Sequence, residues 1–244
     1  MYEFLEIKRK SNIKKAKIPH KILKFTKQHF GKIIFTQLPE SMEFYPPDLP
    51  KNWVSFLMLF ENGMRLDLKI IPLEDLELYY KLEPLRKAFF DRFNIFMQNH
   101  KKSPFSIATL TQTSFEDICN EFYFTLANLH KALLRKQFIL ANHLLSSMRE
   151  ALLNILSFKI GLIYGFTTFL GKEKTNLLNF LSQDEMKMFK KSYQTHSLKH
   201  IKNSSKSLEK LFYKTYCFII CTTNFQSTNY QQNILSYIKA LKKL

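Results

Sequence analysis

Val54-Ser55-Phe56-Leu57-Met58-Leu59-Phe60-Glu61-Asn62-Gly63-Met64-Arg65-Leu66-Asp67-Leu68-Lys69-Ile70-Ile71-Pro72 reads as two strands joined by a tight turn. The first run is almost continuously apolar, as expected of a strand buried on both faces. Glu61-Asn62-Gly63 supplies the turn, because Asn and Gly accept the backbone conformations that a short hairpin connection demands. Pro72 closes the second run, since it fixes φ and donates no amide proton. Asp67 stands inside that second run, with Leu66 and Leu68 directed to the opposite face. A carboxylate there is costly if buried alone, so it needs a partner. Arg65 and Lys69 are the nearest cations in the chain, and a metal ion is the other option.

The flanks extend the pattern. Lys32-Ile33-Ile34-Phe35-Thr36 is a short β-rich run before the hairpin. Leu38-Pro39-Glu40 and Tyr45-Pro46-Pro47-Asp48 read as loops. Residues 8–32 are Lys-rich, with a short helix expected over 20–30 after Pro19. After Pro72 the spacing of Leu73, Leu76 and Tyr79 turns helical, and a basic linker, Lys101-Lys102-Ser103-Pro104, follows. From Ser114 onward everything is helical. Ser114-Phe115-Glu116-Asp117 suggests a helix start, with long runs to about 135 and over 136–160 and shorter ones at 174–180, 183–193, 204–222 and 229–243. Gly161 and Gly165 mark the end of the second run or a tight crossing. Strands first and helices afterwards give an α+β chain, divided into 1–105 and an all-helical 106–244.

Composition limits the function classes. Of 244 residues 45% are hydrophobic, with only five Gly and eight Pro, so the chain is globular rather than disordered. Phe occurs 24 times, enough to fill a core. Lys and Arg number 37 against 20 Asp and Glu, a net charge of +17 that attracts anions such as nucleotides, nucleic acid or acidic membrane. The charge is scattered as well as clustered, which also describes a solvated surface. Cys119, Cys217 and Cys221 form no disulfide framework and no zinc set, and read as small apolar residues in a reducing compartment. No signal peptide and no membrane-length apolar run is present, so the cytoplasm is the expected location. There is no Walker loop, dinucleotide glycine fingerprint, Gly-x-Ser-x-Gly elbow or His-Glu-x-x-His.

Ordered blocks carry a resemblance. They are Gly31-Lys32-Ile33-Ile34, Pro39-Glu40-Ser41-Met42-Glu43-Phe44-Tyr45-Pro46-Pro47, Phe56-Leu57-Met58-Leu59-Phe60 and Leu66-Asp67-Leu68-Lys69-Ile70-Ile71-Pro72-Leu73-Glu74-Asp75-Leu76. Cys119-Asn120-Glu121-Phe122, Lys131-Ala132-Leu133-Leu134-Arg135-Lys136, His143, Arg149 and Phe158-Lys159-Ile160-Gly161 continue it. In this order they resemble the aminoglycoside 6-adenylyltransferases, over roughly 31–172. The resemblance implies a nucleotidyltransferase α/β domain followed by a helical domain. It also implies transfer of AMP from ATP to a hydroxyl of streptomycin. A pair of divalent ions, normally Mg2+, would be held by clustered carboxylates, because hard cations take oxygen ligands.

By resemblance Asp67 is the family's third aspartate, a catalytic and metal-ligating position. Glu121 is a candidate contact for the drug's cationic groups. Lys131, Arg135 and Lys159 are candidates for the triphosphate. His143 reads as a core histidine. The family's Gly-Ser turn and Asp-x-Asp pair have no counterpart before Gly31, where Glu3 and Glu6 are the only acids. Gln137 and Asn142 stand where the family has acids. The expectation is therefore an N-terminally truncated or degenerate member with negligible adenylyl transfer. The missing strands are expected to leave a sheet edge open and to favour a homodimer. The alternatives are a catalytically dead remnant and a basic protein binding nucleic acid or other anions. No nucleic-acid motif supports the latter.

Overall fold

The computed structural model describes residues 2–8, 18–46, 50, 52–82, 91, 95, 105–226, 228 and 230–241, the first strand and residues 18 and 19 as backbone only. Two compact units divide the chain, Met1–Asn94 and Ile95–Leu244. The chain is α+β, as its sequence suggests. The expected basic linker at Lys101-Lys102-Ser103-Pro104, and Pro47-Asp48 within the second expected loop, lie outside the described residues.

The first unit is built on a four-stranded sheet in the order β1-β4-β3-β2. These strands are Tyr2–Lys8 (β1), Ile33–Gln37 (β2), Val54–Phe60 (β3) and Arg65–Pro72 (β4). The hairpin forms as read: β3 and β4 pair antiparallel, from Val54 opposite Ile70 to Leu59 opposite Arg65. Gly63 has φ 80°, and the Asn62 side chain accepts from the Met64 amide at 3.1 Å. β2 pairs antiparallel to β3, with a register irregularity between Ile33 and Phe35. Phe56, Met58, Phe60, Leu66 and Ile70 form the buried face, against which Ile22 and Leu23 of helix α1 (Ile18–Phe30) pack. Pro72 leads through a single turn, Leu73–Asp75, into α2 (Leu76–Leu82). There Trp53, fully buried, donates its indole N–H to Asp75 at 3.0 Å.

A strand not expected from the sequence, β1, pairs with β4 in parallel along its whole length, Tyr2 beside Leu66 through Lys8 beside Pro72, so that β1 and β2 are the outer strands of the sheet. Parallel pairing joins segments distant in sequence and has no turn to announce it.

The second unit is helical: α3 (Gln112–Leu134), α4 (Phe138–Tyr164), α5 (Gln183–Lys191), α6 (Leu198–Thr222) and α7 (Tyr230–Leu241). α3 starts one turn earlier than Ser114 suggests. Thr111 is its cap, and Ser114 is the third helical residue of a reciprocal capping box. α3 ends on a Schellman-type closure: the Lys136 amide reaches the Leu133 carbonyl at 3.1 Å and the Gln137 amide reaches Ala132 at 2.9 Å. Lys136 takes the left-handed conformation, φ 55°, that this closure requires. The turn folds α4 back on α3, and α6 packs on both around Phe122 and Phe212, whose rings stack 3.8 Å apart. Gly161 is needed for close approach, because a Cβ there would lie 2.6 Å from the Phe166 ring. Among the described residues no helix is long and apolar enough to cross a membrane.

Candidate functional site

Asp67 is the third residue of β4, just after the hairpin turn, on the sheet face opposite to the Phe56–Met58–Phe60 layer. Arg65, two residues along the same strand, shares that face. Its guanidinium grips both carboxylate oxygens: Nε to Oδ1 and Nη2 to Oδ2, each 2.8 Å. This bidentate fork is the strongest pairing the two groups offer. The hydrogen bond and charge of Asp67 raise the Arg65 pKa above its ordinary value, against a small burial effect. Asp67 is 15% exposed, so the fork does not rest on a fully solvated acid.

Across the sheet, Asp67 stands level with Leu57 of β3 and Glu3 of β1. Glu3 is thus the acid that the topology brings alongside Asp67, by backbone register. A second acid of this unit has an unusual setting. Glu40 lies in the single turn Pro39–Ser41 that follows β2, whose last residue, Gln37, is level with Leu57 and hence with Asp67. Both Glu40 carboxylate oxygens are shut off from solvent and accept no hydrogen bond from the described residues. A buried unpaired carboxylate is among the more costly arrangements in a protein, and a cation relieves it.

The donor set among the described side chains does not fit a pair of magnesium ions. Among the described residues no three His, Cys, Asp or Glu side chains cluster as metal ligands. The one site carboxylate on β4 spends both oxygens on Arg65. A hard cation needs several oxygens free at once.

The other candidates all lie in the helical unit and do not converge. Glu121 is exposed on α3 and accepts from the Thr125 hydroxyl at 3.1 Å. Lys131 and Arg135 sit one turn apart at the end of the same helix, about 21 Å along its axis from Glu121 in the case of Arg135. The Lys131 ammonium lies 5.3 Å from the Tyr237 ring centre, and Arg135 is exposed. Lys159, on α4, is committed elsewhere. It makes a 2.6 Å ion pair with Glu185, and the two side chains are only 15% and 3% exposed. Burial pushes the Glu185 carboxyl up, but the Lys159 hydrogen bond, the Ser182 amide and the charges of Lys159 and Lys214 outweigh it and leave it below its ordinary value. Arg149, one of the resembling positions, also serves the fold: it donates to the Ser192 carbonyl at 3.0 Å and stacks on Tyr193 at 4.6 Å. His143 is exposed, not a core residue, since the buried stripe of α4 runs through Ala141, Leu145, Met148 and Leu152.

Two features were missed from the sequence. The Glu3–Asp67 register needed the parallel partner of β4. Glu40 was quoted only as part of a block, and nothing local marks its oxygens as buried.

A family model described as streptomycin adenylyltransferase matches residues 24–241. The aminoglycoside 6-adenylyltransferase of Staphylococcus aureus is 30% identical over 214 residues, 86% of this chain and 76% of that protein. The protein of the same name from Campylobacter jejuni is 29% identical over 217 residues, 88% of this chain and 75% of that one. Among solved structures, an aminoglycoside 6-adenyltransferase from Bacillus subtilis superposes with a TM-score of 0.54 at 25% identity, covering 98% of this chain and 88% of that one.

Proposed function

Since the chain belongs to the streptomycin adenylyltransferase family, matched across residues 24–241, we propose that its ligands are ATP and a streptomycin-type aminoglycoside, and that these 244 residues transfer the adenylyl group negligibly. The reaction class is transfer of AMP to a drug hydroxyl, the activity named for its relatives in S. aureus and C. jejuni. Asp67, 15% exposed and in backbone register with Glu3, is the site carboxylate. Glu121, held outward on α3 by Thr125, suits the drug's ammonium and guanidinium groups. Lys131 and Arg135 are the basic groups left for phosphate oxygens, while Lys159 holds α5 against α4 through Glu185.

The observation that carries the low turnover is the Arg65–Asp67 fork. Adenylyl transfer draws nearly all its rate from positioning and charge neutralisation at the phosphates. A carboxylate whose oxygens are already taken by a guanidinium contributes little to either. The test is incubation of the purified 244-residue chain with streptomycin, ATP and Mg2+, followed by mass spectrometry of the drug. We expect no adenylyl mass increment above the protein-free control. Product that disappears in Asp67→Asn would show a working site instead.

A further inference from the structure

The helical unit contains a cavity of about 310 Å³ that the adenylyl-transfer reading does not use. His130, Leu133 and Leu134, at the end of α3, form one wall. Leu198, Lys199 and Lys202, in the first turn and a half of α6, form another, and Ile238 of α7 contributes the third. We propose that this cavity binds a small organic anion with a hydrocarbon body, of the kind represented by a medium-chain carboxylate.

Charge selects the sign of the ligand. All the lining residues come from stretches 122–149, 186–208 and 210–244, and none of these contains an Asp or a Glu. Lys199 and Lys202 are exposed and pair with no acid among the described residues. α6 has no acidic residue in its first turn, and its cap, Ser197, accepts from the His200 amide at 3.3 Å and bonds the His200 Nδ1 at 2.8 Å. Leu198 and Lys199 open this 25-residue helix, so its positive end lies at the cavity wall. A polycationic aminoglycoside meets only like charge here, so it is excluded as the occupant.

Shape and polarity select the rest. Leu133, Leu134, Leu198 and Ile238 offer hydrocarbon, with Ile238 only 3% exposed. A cavity of about 150 Å³ accommodates benzene, so this one suits a body of roughly eight to twelve carbons. The head group then lies among Lys199, Lys202 and the start of α6 while the tail displaces water from the leucines. Carboxylates and sulfonates share this chemistry.

The test is a titration of the isotopically labelled full chain with octanoate, followed by amide NMR, with octylammonium as the charge-reversed control. We expect saturable shifts confined to the end of α3, the start of α6 and α7, and none with octylammonium. Lys199→Glu/Lys202→Glu should weaken octanoate by about tenfold, as two partly screened charges imply. Equal response to the two amphiphiles, shifts spread over the sheet unit, no saturation, or unchanged affinity in a folded double variant would each overturn the proposal. If the double variant fails to fold, the octanoate–octylammonium comparison on the unaltered chain decides.

Discussion

Replacing Glu185 by Ala should destabilise the helical unit more than any single change at its partner. Glu185 does three things: it pairs with Lys159 at 2.6 Å, accepts the Ser182 amide at 3.1 Å in a capping box, and lies 3.4 Å from Lys214. Its loss leaves the Lys159 side chain, 15% exposed, with no acid partner among the described residues and with the Phe218 ring centre 5.6 Å from its ammonium. Breaking a buried pair in this way costs about 3–5 kcal/mol, and the lost cap adds about 1. Lys159 keeps some access to water, which moves the sum to the lower end, about 3–4 kcal/mol. Lys159→Met is milder, about 1–2 kcal/mol, because the carboxylate retains the Ser182 amide and half-exposed Lys214. Urea unfolding followed by far-ultraviolet circular dichroism, which reports the helices, measures both. A loss in Lys159→Met equal to or above that in Glu185→Ala would refute the reasoning. So would a change in ATP affinity in Lys159→Met without loss of stability, since that returns Lys159 to the phosphates.

Three further outcomes are expected. The Glu185 carboxyl is held below its ordinary range in the fold, so its stabilisation is full above that range and vanishes as pH falls through the folded value. The gap in urea midpoint between the unaltered chain and Glu185→Gln should therefore narrow from about pH 7 to about pH 3; a constant gap contradicts the charge-based origin. Burial, with a smaller push from Glu116, raises the Cys119 thiol to about 12. An aromatic disulfide reagent at mildly alkaline pH should therefore label exposed Cys221 rapidly and Cys119 only after denaturation. Glu40→Gln should change stability by no more than roughly 1 kcal/mol in urea unfolding, because no hydrogen bond to the carboxyl is lost. A loss of several kcal/mol would show that the Glu40 carboxyl holds a partner in the folded chain.

The hairpin was legible because everything that makes it is local: an apolar run, Asn62-Gly63 and a terminating proline. The long helices were legible for the same reason and their ends moved, as when Thr111 rather than Ser114 capped α3, but the helix expected at 174–180 is instead two short 3-10 turns, Lys172–Lys174 and Leu177–Phe180, too short for an apolar period to define. β1 was not legible, because Tyr2–Lys8 gains its place from β4, about sixty residues away, by parallel pairing. The site divided in the same way. Arg65 as partner of Asp67 could be named from the two-residue spacing that puts both on one strand face. Lys159 could not be assigned, since its partner Glu185 lies on another helix and only packing brings them together. His143 misled because α4 is apolar on most sides, and the buried stripe runs past it through Leu145 and Met148.

Whether Asp67 belongs to Arg65 or to a cation can be measured directly by titrating the purified chain with Mn2+ in place of Mg2+ and counting free ion by electron paramagnetic resonance. We expect no saturable binding below about 1 mM, and the same curve for Asp67→Asn. A tight stoichiometric site that Asp67→Asn removes would mean that the fork opens and that the sheet still assembles a catalytic ion centre.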